Sequence, residues 1–356
     1  MTRADRLFST VDHGAPGRPP LGREHLYPTD AGPRERLRFA LSYAVLAPSS
    51  HNSQPWRFDL HEDHLCIHAD LTHRLEITDP DCRELMISIG ALIETLAVAL
   101  RHFGHLGDVE VLPEPNAPWL AARVGLGGSY EPSDVDQAVF DAIETRATYR
   151  FPFADQAVPN DVTADLQDAC RQFGPDLHIM RTQDERHMIA DLIAEGDKRQ
   201  FADPAFRAEL SNWIHPRRGD THDGMSGEVF GMPGVLTGVG AFAIRTFDLG
   251  DKQAARDRDI AEHSPVLATL VTPTDQPADW IACGRALAAT LLTATAHGVS
   301  ASFLNQPIEV PDLRRDVADH LGLDGMPQLI LRFGYPNRPV PPLGPRRPLS
   351  SMLTDM

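Results

Sequence analysis

Residues 84–104, ELMISIGALIETLAVALRHFG, and residues 279–298, DWIACGRALAATLLTATAHG, carry one pattern twice. Both are long, apolar and free of proline. Each ends on a glycine, the residue that closes a helix most readily in the left-handed conformation. The spacing predicts helices over 84–103 and 279–297, capped by Gly104 and Gly298. Ile87, Gly90, Gly104 and Pro113 recur as Ile281, Gly284, Gly298 and Pro307 at a constant offset of 194. A strand pattern follows each helix, WLAARVG at 119–125 and QLILRFG at 328–334, now at an offset of 209. The additional 15 residues fall around 312–324. Helix, cap and following strand recurring in order indicate two copies of one α+β unit, fused and packed together. The competing explanation is two unrelated helix–strand pairs.

The rest of the chain fits a doubled globular unit. It has 356 residues, 42% hydrophobic and 23% charged, which is neither a disordered nor a fibrous composition. The net charge of −17 argues against nucleic acid and anionic lipid as partners, because both require a basic face. Lys198 and Lys252 are the only lysines among 33 basic residues, so an anion site here would use the planar arginine fork. Cys66, Cys82, Cys170 and Cys283 form no CxxC pair, and their density does not suggest a disulfide framework. The first ten residues, MTRADRLFST, lack a signal peptide's apolar stretch, and the apolar run at 85–100 carries Glu94 and falls short of a membrane span. The expectation is a cytoplasmic protein.

Residues 1–30, rich in Pro, Gly and Arg, read as a loose arm. A helix is predicted over 33–47, stopped by Pro48. Trp56, Phe58 and Leu60 alternate, as do Leu65, Ile67 and Ala69, which predicts a hairpin. Residues 212–242, dense in glycine and without period, read as a lid or functional loop.

Three stretches could carry chemistry. Arg146-Ala-Thr-Tyr-Arg150 places guanidinium, hydroxyl and guanidinium at alternate positions, a donor set suited to phosphate; the bland alternative pairs these arginines with Asp141 and Glu144. Pro48-Ser-Ser-His-Asn-Ser-Gln54 offers hydroxyls and amides for a planar heterocycle or a ribityl chain, or for satisfying its own backbone. Arg346-Arg347 could add a phosphate contact, or be a solvated basic tail.

These residues resemble the flavin-dependent nitroreductase superfamily and, within it, the Acg-like NAD(P)H nitroreductases. Ala47-Pro-Ser-Ser-His-Asn-Ser-Gln-Pro-Trp56 is similar to the family's A-P-S-x-x-N-x-Q-P-W, and Arg146–Arg150 to R-x-S/T-x-R. The helix at 283–298 resembles the long central helix, and 329–335 with Arg346 and Arg347 resembles the closing strand and basic C-terminus. The resemblance implies an α+β, nitroreductase-like fold. Two fused copies of a mainly antiparallel sheet flanked by helices would form an internal pseudo-dimer. It divides the chain into an arm (1–30), a first half (31–130) and a second half (131–356) with a lid insertion at 212–242. One site would be complete and one eroded, since no second A-P-S-x-x-N follows 166–173.

The resemblance further implies FMN as cofactor. Arg146, Thr148, Arg346 and Arg347 would hold its phosphate. Pro48, Ser49, Ser50 and Asn52 would line the ring and ribityl, and Arg150 would stabilise charge on the flavin. A donor to flavin N5 is sought in Asn305-Gln306-Pro307, with Gln306 taken as a contact. The implied activity is reduction of nitroaromatics, quinones or similar electron-poor small molecules by NAD(P)H, with no catalytic residue beyond the flavin and Arg150. The alternative is a flavin-sequestering protein closed by its lid. The chain would be a monomer as an internal pseudo-dimer, with room for further homo-dimerisation.

Other signals are weaker. His61, His64, His68 and Cys66 have metal-ligand chemistry, but their alternation on the hairpin predicts an exposed face rather than a metal centre. Gly238-Val-Gly-Ala-Phe-Ala243 matches G-x-G-x-x-A without a convincing strand before it. Ser49-Ser50-His51 is no triad, because adjacency does not set nucleophile–base geometry. Gly224-Met-Ser-Gly-Glu228 fails G-x-S-x-G at its last position. Cys283 reads as a small buried thiol.

Overall fold

The computed structural model describes residues 23–215, 221–226, 244–246 and 248–355. The two long helices form as the sequence predicts, α2 over Arg83–His102 and α8 over Pro277–Ala296. Gly104 and Gly298 follow them at φ +84° and +71°. The helices cross where Gly90 faces Gly284. A Cβ on Gly90 would lie 2.1 Å from the Ile281 carbonyl oxygen, and one on Gly284 would lie 1.9 Å from the Ile87 carbonyl oxygen. Residue 90 meets 281 and residue 284 meets 87, so each partner is the other's counterpart at the offset of 194. Reciprocal contact between equivalent residues is the signature of a two-fold interface. The duplication is therefore an internal pseudo-dimer, with its axis at the glycine crossing.

Each half carries a sheet. The first has the order β11-β1-β2-β4-β3, from β1 Trp56–Leu60, β2 His64–Ala69, β3 His105–Val111, β4 Leu120–Ser129 and β11 Leu353–Asp355. The second has the order β5-β8-β10-β9, from β5 Asp176–Ile179, β8 Val266–Thr272, β9 Ser300–Phe303 and β10 Met326–Gly334. Pairing within the second sheet is antiparallel throughout, and in the first only β11 runs parallel, alongside β1. The 15 residues added in the second half correspond to helix α9, Pro311–Leu321. The remaining helices are α1 Pro33–Ala44, α3 Asp134–Thr145, α4 Asn160–Arg171, α5 Gln183–Ala202, α6 Pro204–Asn212 and α7 Gly250–Glu262. A two-stranded parallel pair joins β6 Ile214–His215 to β7 Met225–Ser226.

Several expectations change. Helix α1 ends at Ala44 rather than Ala47, because the last turn tightens into i→i+3 bonds (Leu46 N to Tyr43 O, Ala47 N to Ala44 O) while Arg346 takes the freed carbonyls. The arm is not loose throughout, since Tyr27 stacks on Phe103 with ring centroids 4.1 Å apart; residues 1–22 lie outside the described residues. Phe140 and Ile143 of α3, with Leu343 and Met352 of the tail, pack into the first half's core. A division at 130/131 follows the chain but not the cores. The α2 segment is long and apolar enough to cross a membrane by length and composition, contrary to expectation, and 89% of it is buried inside the molecule. On the hairpin, Cys66 is buried rather than exposed.

Candidate active site between the two halves

One cavity of about 620 Å³ opens where the halves meet. That volume lies in the range of pockets that hold cofactors and drug-sized ligands. The first half contributes Pro48, Ser49, Ser50, His51 and Asn52; the linker after α3 contributes Arg146, Thr148 and Arg150. Thr148 forms a parallel bridge to Ala301 beside β9, and Tyr149 N donates to Ala301 O at 2.9 Å. This extended backbone turns Arg146, Thr148 and Arg150 to the cavity. Tyr149, fully buried, donates from its hydroxyl to Asn337 Oδ1.

Arg146 is 7% exposed and ends α3 as its C-terminal cap. Among the described residues it forms no ion pair with Asp141, Glu144 or any other carboxylate. Burial alone lowers its pKa to about 10. Arg150 is lowered to about 10 by burial and by the neighbouring Arg256 charge. A buried guanidinium without a carboxylate is expensive unless an anion completes it. Arg146 is a buried cation facing the cavity, and the bland pairing with Asp141 or Glu144 is not what the structure shows.

The polar loop is built differently. His51, Asn52 and Gln54 hold φ of 53°, 56° and 51°, which costs roughly 1–3 kcal/mol each for residues with a Cβ. Side chains hold that conformation. Asn52 Nδ2 donates to Gly224 O at 2.9 Å and Pro345 O at 3.1 Å, and Asn52 Oδ1 accepts from Arg346 Nη1 at 2.9 Å. Gln54 Nε2 donates to His222 O, and its Oε1 accepts from Arg347 N. Ser50 Oγ donates to Glu84 Oε2 at 2.6 Å, and Ser49 Oγ accepts from Gln54 N. For Asn52, the backbone-satisfying reading of the loop describes the structure.

The two C-terminal arginines also find work inside the fold. Arg346 lines the cavity but spends its fork on Val45 O and Leu46 O at the end of α1, as well as on Asn52. Arg347 does not line the cavity; it donates to Gln54 O at 3.0 Å and Asp70 Oδ2 at 3.4 Å. The resemblance gives both to a phosphate; in the structure helix-end carbonyls and Asn52 take the Arg346 fork, and a loop carbonyl and a carboxylate take Arg347. Gln306 lines the cavity, with its amide donated to Asp197 Oδ1 and Asp257 Oδ2.

The chain aligns over 328 residues at 30% identity with an "Uncharacterized protein" of Mycobacterium tuberculosis, covering 89% of this chain and 92% of the relative. Two further M. tuberculosis relatives are "Putative NAD(P)H nitroreductase" proteins. One is 29% identical over 327 residues, covering 90% of this chain and 91% of the relative. The other, acg, is 28% identical over 321 residues, covering 89% and 94%. The chain belongs to the Acg-like NAD(P)H nitroreductases. No family model matches this Acg-like chain. Among solved structures, the FMN-dependent nitroreductase NfnB of Mycobacterium smegmatis, in complex with NADPH, matches 61% of the chain and 97% of its own at 16% identity and a TM-score of 0.39.

Further polar groups of the Acg-like site escaped the sequence reading. Asp197, Asp257, Glu309 and Arg332 all line the cavity. Asp197 continues the buried stripe of α5 after Ile189 and Ile193, a spacing of four that marks an acid on an apolar face. Arg332 interrupts the apolar run of β10. It donates to Tyr149 O and Phe151 O and lies over the Phe153 ring, while its Nε and Nη1 have no partner among the described residues.

The other sequence signals resolve separately. His61, His64 and Cys66 do come together, with ligand atoms within 4.8 Å, but burial pushes the Cys66 thiol up, away from the thiolate a metal prefers. All four cysteines are free, and burial raises Cys283 strongly. The G-x-G-x-x-A match and most of 212–242 lie outside the described residues.

Proposed function

We propose that this protein is an FMN-dependent oxidoreductase that uses NAD(P)H to reduce quinones, nitroaromatics or similar electron-poor small molecules. The observation that carries the reading is Arg146, a buried cation without a carboxylate among the described residues, facing a cavity between two fused halves. That donor set fits a phosphate monoester. The names of the relatives support the reading.

Bound FMN would supply hydride transfer between NAD(P)H and substrate. The chain's own residues do the rest. Arg146 and Thr148 hold the phosphate. Arg150, which lines the same cavity, would bring a positive charge to the flavin and so favour negative charge on it. Pro48, Ser49, Ser50 and Asn52 form the opposite wall from the first half, and the strained loop keeps that wall fixed. Burial of α2 inside the molecule fits the core helix of a folded domain rather than a membrane span.

The protein purified without added flavin is expected to be yellow, or to turn yellow with FMN; a colourless chain that also fails to take up FMN overturns the reading. Arg146→Ala is expected to weaken FMN binding by about 1.5–3 kcal/mol, as for a lost charge-assisted bond. Fluorescence titration measures this, and unchanged affinity removes Arg146 from the phosphate site.

A second reading, flavin sequestration with little turnover, is favoured by one contact. Gly224 N donates to Asn52 O at 3.2 Å while Asn52 Nδ2 donates back to Gly224 O, so the 221–226 segment is latched to the opposite half at the cavity. Stopped-flow mixing with NADPH separates the two: bleaching of the flavin within seconds excludes storage.

A further inference from the structure

Three acids or amides at one wall of the cavity are not used above. Asp197 of α5 is 1% exposed. Its Oδ1 accepts from Gln306 Nε2 at 3.2 Å, and its Oδ2 has no partner among the described residues. Asp257 of α7 accepts from the same Gln306 amide at 2.8 Å and from Gln253 at 2.9 Å, both at Oδ2. Gln306 Oε1 is also without a partner. All three residues line the cavity.

The pair is asymmetric. Burial raises the Asp257 carboxyl too, but two amides donate to it and the charges of Arg256 and Arg332 act against that rise, so it keeps its charge more readily than Asp197. Asp197 faces the Asp257 carboxylate and one shared amide, with no cation acting on it. Burial and the Asp257 charge push its carboxyl up to about 8. Two neighbouring titratable groups whose surroundings pull them apart define an acid and its charged partner. Gln306 occupies Oδ1, which leaves the bare, buried Oδ2 as the place for a proton.

We infer that Asp197 is the proton donor of this site, giving its Oδ2 proton to the oxygen of a quinone or nitro substrate, with Asp257 and Gln306 as positioning residues. The inference rests on the oxidoreductase reading for its reductant. Two-electron reduction of a quinone needs one hydride and one proton. NAD(P)H supplies the hydride, through the cofactor proposed above. The Asp197 O–H bond breaks as the substrate O–H bond forms, leaving hydroquinone and the Asp197 carboxylate, which takes its next proton from water. A buried store of this kind delivers a proton where solvent is excluded.

The test begins with infrared titration of the full chain, which needs no turnover. Burial also raises the Glu309 carboxyl on the same cavity, so the reading is a difference: wild type is expected to show a protonated-carboxyl component at pH 7 that fades with a midpoint near 8 and is missing from Asp197→Asn. Asp257→Asn removes the like charge and is expected to lower the midpoint by a unit or more. Indistinguishable wild-type and Asp197→Asn spectra, or an unmoved midpoint in Asp257→Asn, overturn the proton's assignment. If Asp197→Asn does not fold, the Asp257→Asn midpoint decides. In the FMN-loaded chain, oxidation by a water-soluble benzoquinone is expected to fall above pH 8 in wild type, and to be at least tenfold slower and flat with pH in Asp197→Asn. A pH profile retained by Asp197→Asn overturns the delivery step. A chain that takes up no flavin overturns the parent reading and the delivery step together, while the infrared result still decides where the proton sits.

Discussion

Gly284→Ala and Gly90→Ala are each expected to destabilise the protein by about 3 kcal/mol or more, and by similar amounts. At residue 284 the new methyl would lie 1.9 Å from the Ile87 carbonyl oxygen and 2.7 Å from the Gly90 Cα. At residue 90 it would lie 2.1 Å from the Ile281 carbonyl oxygen and 2.9 Å from the Gly284 Cα. The obstructing atoms are backbone within two long buried helices, so no side chain can swing away, and the helices must part. Overpacking of a rigid contact usually costs 1–3 kcal/mol and more where backbone moves. The double variant should cost less than the sum, because the first methyl already opens the crossing for the second. Gly128→Ala is the control: nothing lies within 4 Å of its added Cβ, and a surface change of that kind stays within about 0.5 kcal/mol. Urea unfolding measures all four chains. Wild-type midpoints for both single variants would show that the halves are not held at this crossing.

The same glycines explain what could be read in advance. Two helices repeating Ile-x-x-Gly and ending on a glycine leave a spacing that survives divergence, because close approach and left-handed caps tolerate few alternatives. The strands of the hairpin were legible through strict alternation. Strand β11 was not, because its three residues carry too little pattern to reveal that the tail crosses to the first sheet. Arg146 and Arg346 look alike in sequence. A guanidinium fork suits a phosphate and a helix-end carbonyl equally, and only the position of α1 beside the tail gives Arg346 to Val45 and Leu46. The acid pair was illegible for another reason. Asp197 and Asp257 lie on separate helices, and a lone Asp in a helix reads as surface until the fold puts a second one behind the same glutamine.

That pair also predicts how stability depends on pH. Asp197→Asn is expected to stabilise the protein increasingly as pH rises from about 4 to about 8, and by a constant amount above. The unfolded-state carboxyl titrates near its ordinary value of 3.8, and the folded one near 8. Below both values each state holds the proton, and the Asp197 side chain adds no pH dependence. Between them only the folded state holds it, so the unfolded state binds fewer protons and wild-type stability falls as pH rises. Above about 8 the folded state has lost its proton as well, and carries a charge that one amide from Gln306 faces and no cation offsets. Asparagine cannot ionise, so the variant escapes the whole decline. One pKa unit corresponds to about 1.4 kcal/mol, which sets a ceiling of about 6 kcal/mol for this displacement; relaxation and water entry around the ionised group reduce the expected gain to ~2–3 kcal/mol at pH 8.5. Urea unfolding of both chains at pH 5, 7 and 8.5 measures the difference. A gain that is flat across this range, or that shrinks with pH, would mean that Asp197 enters the folded state already ionised.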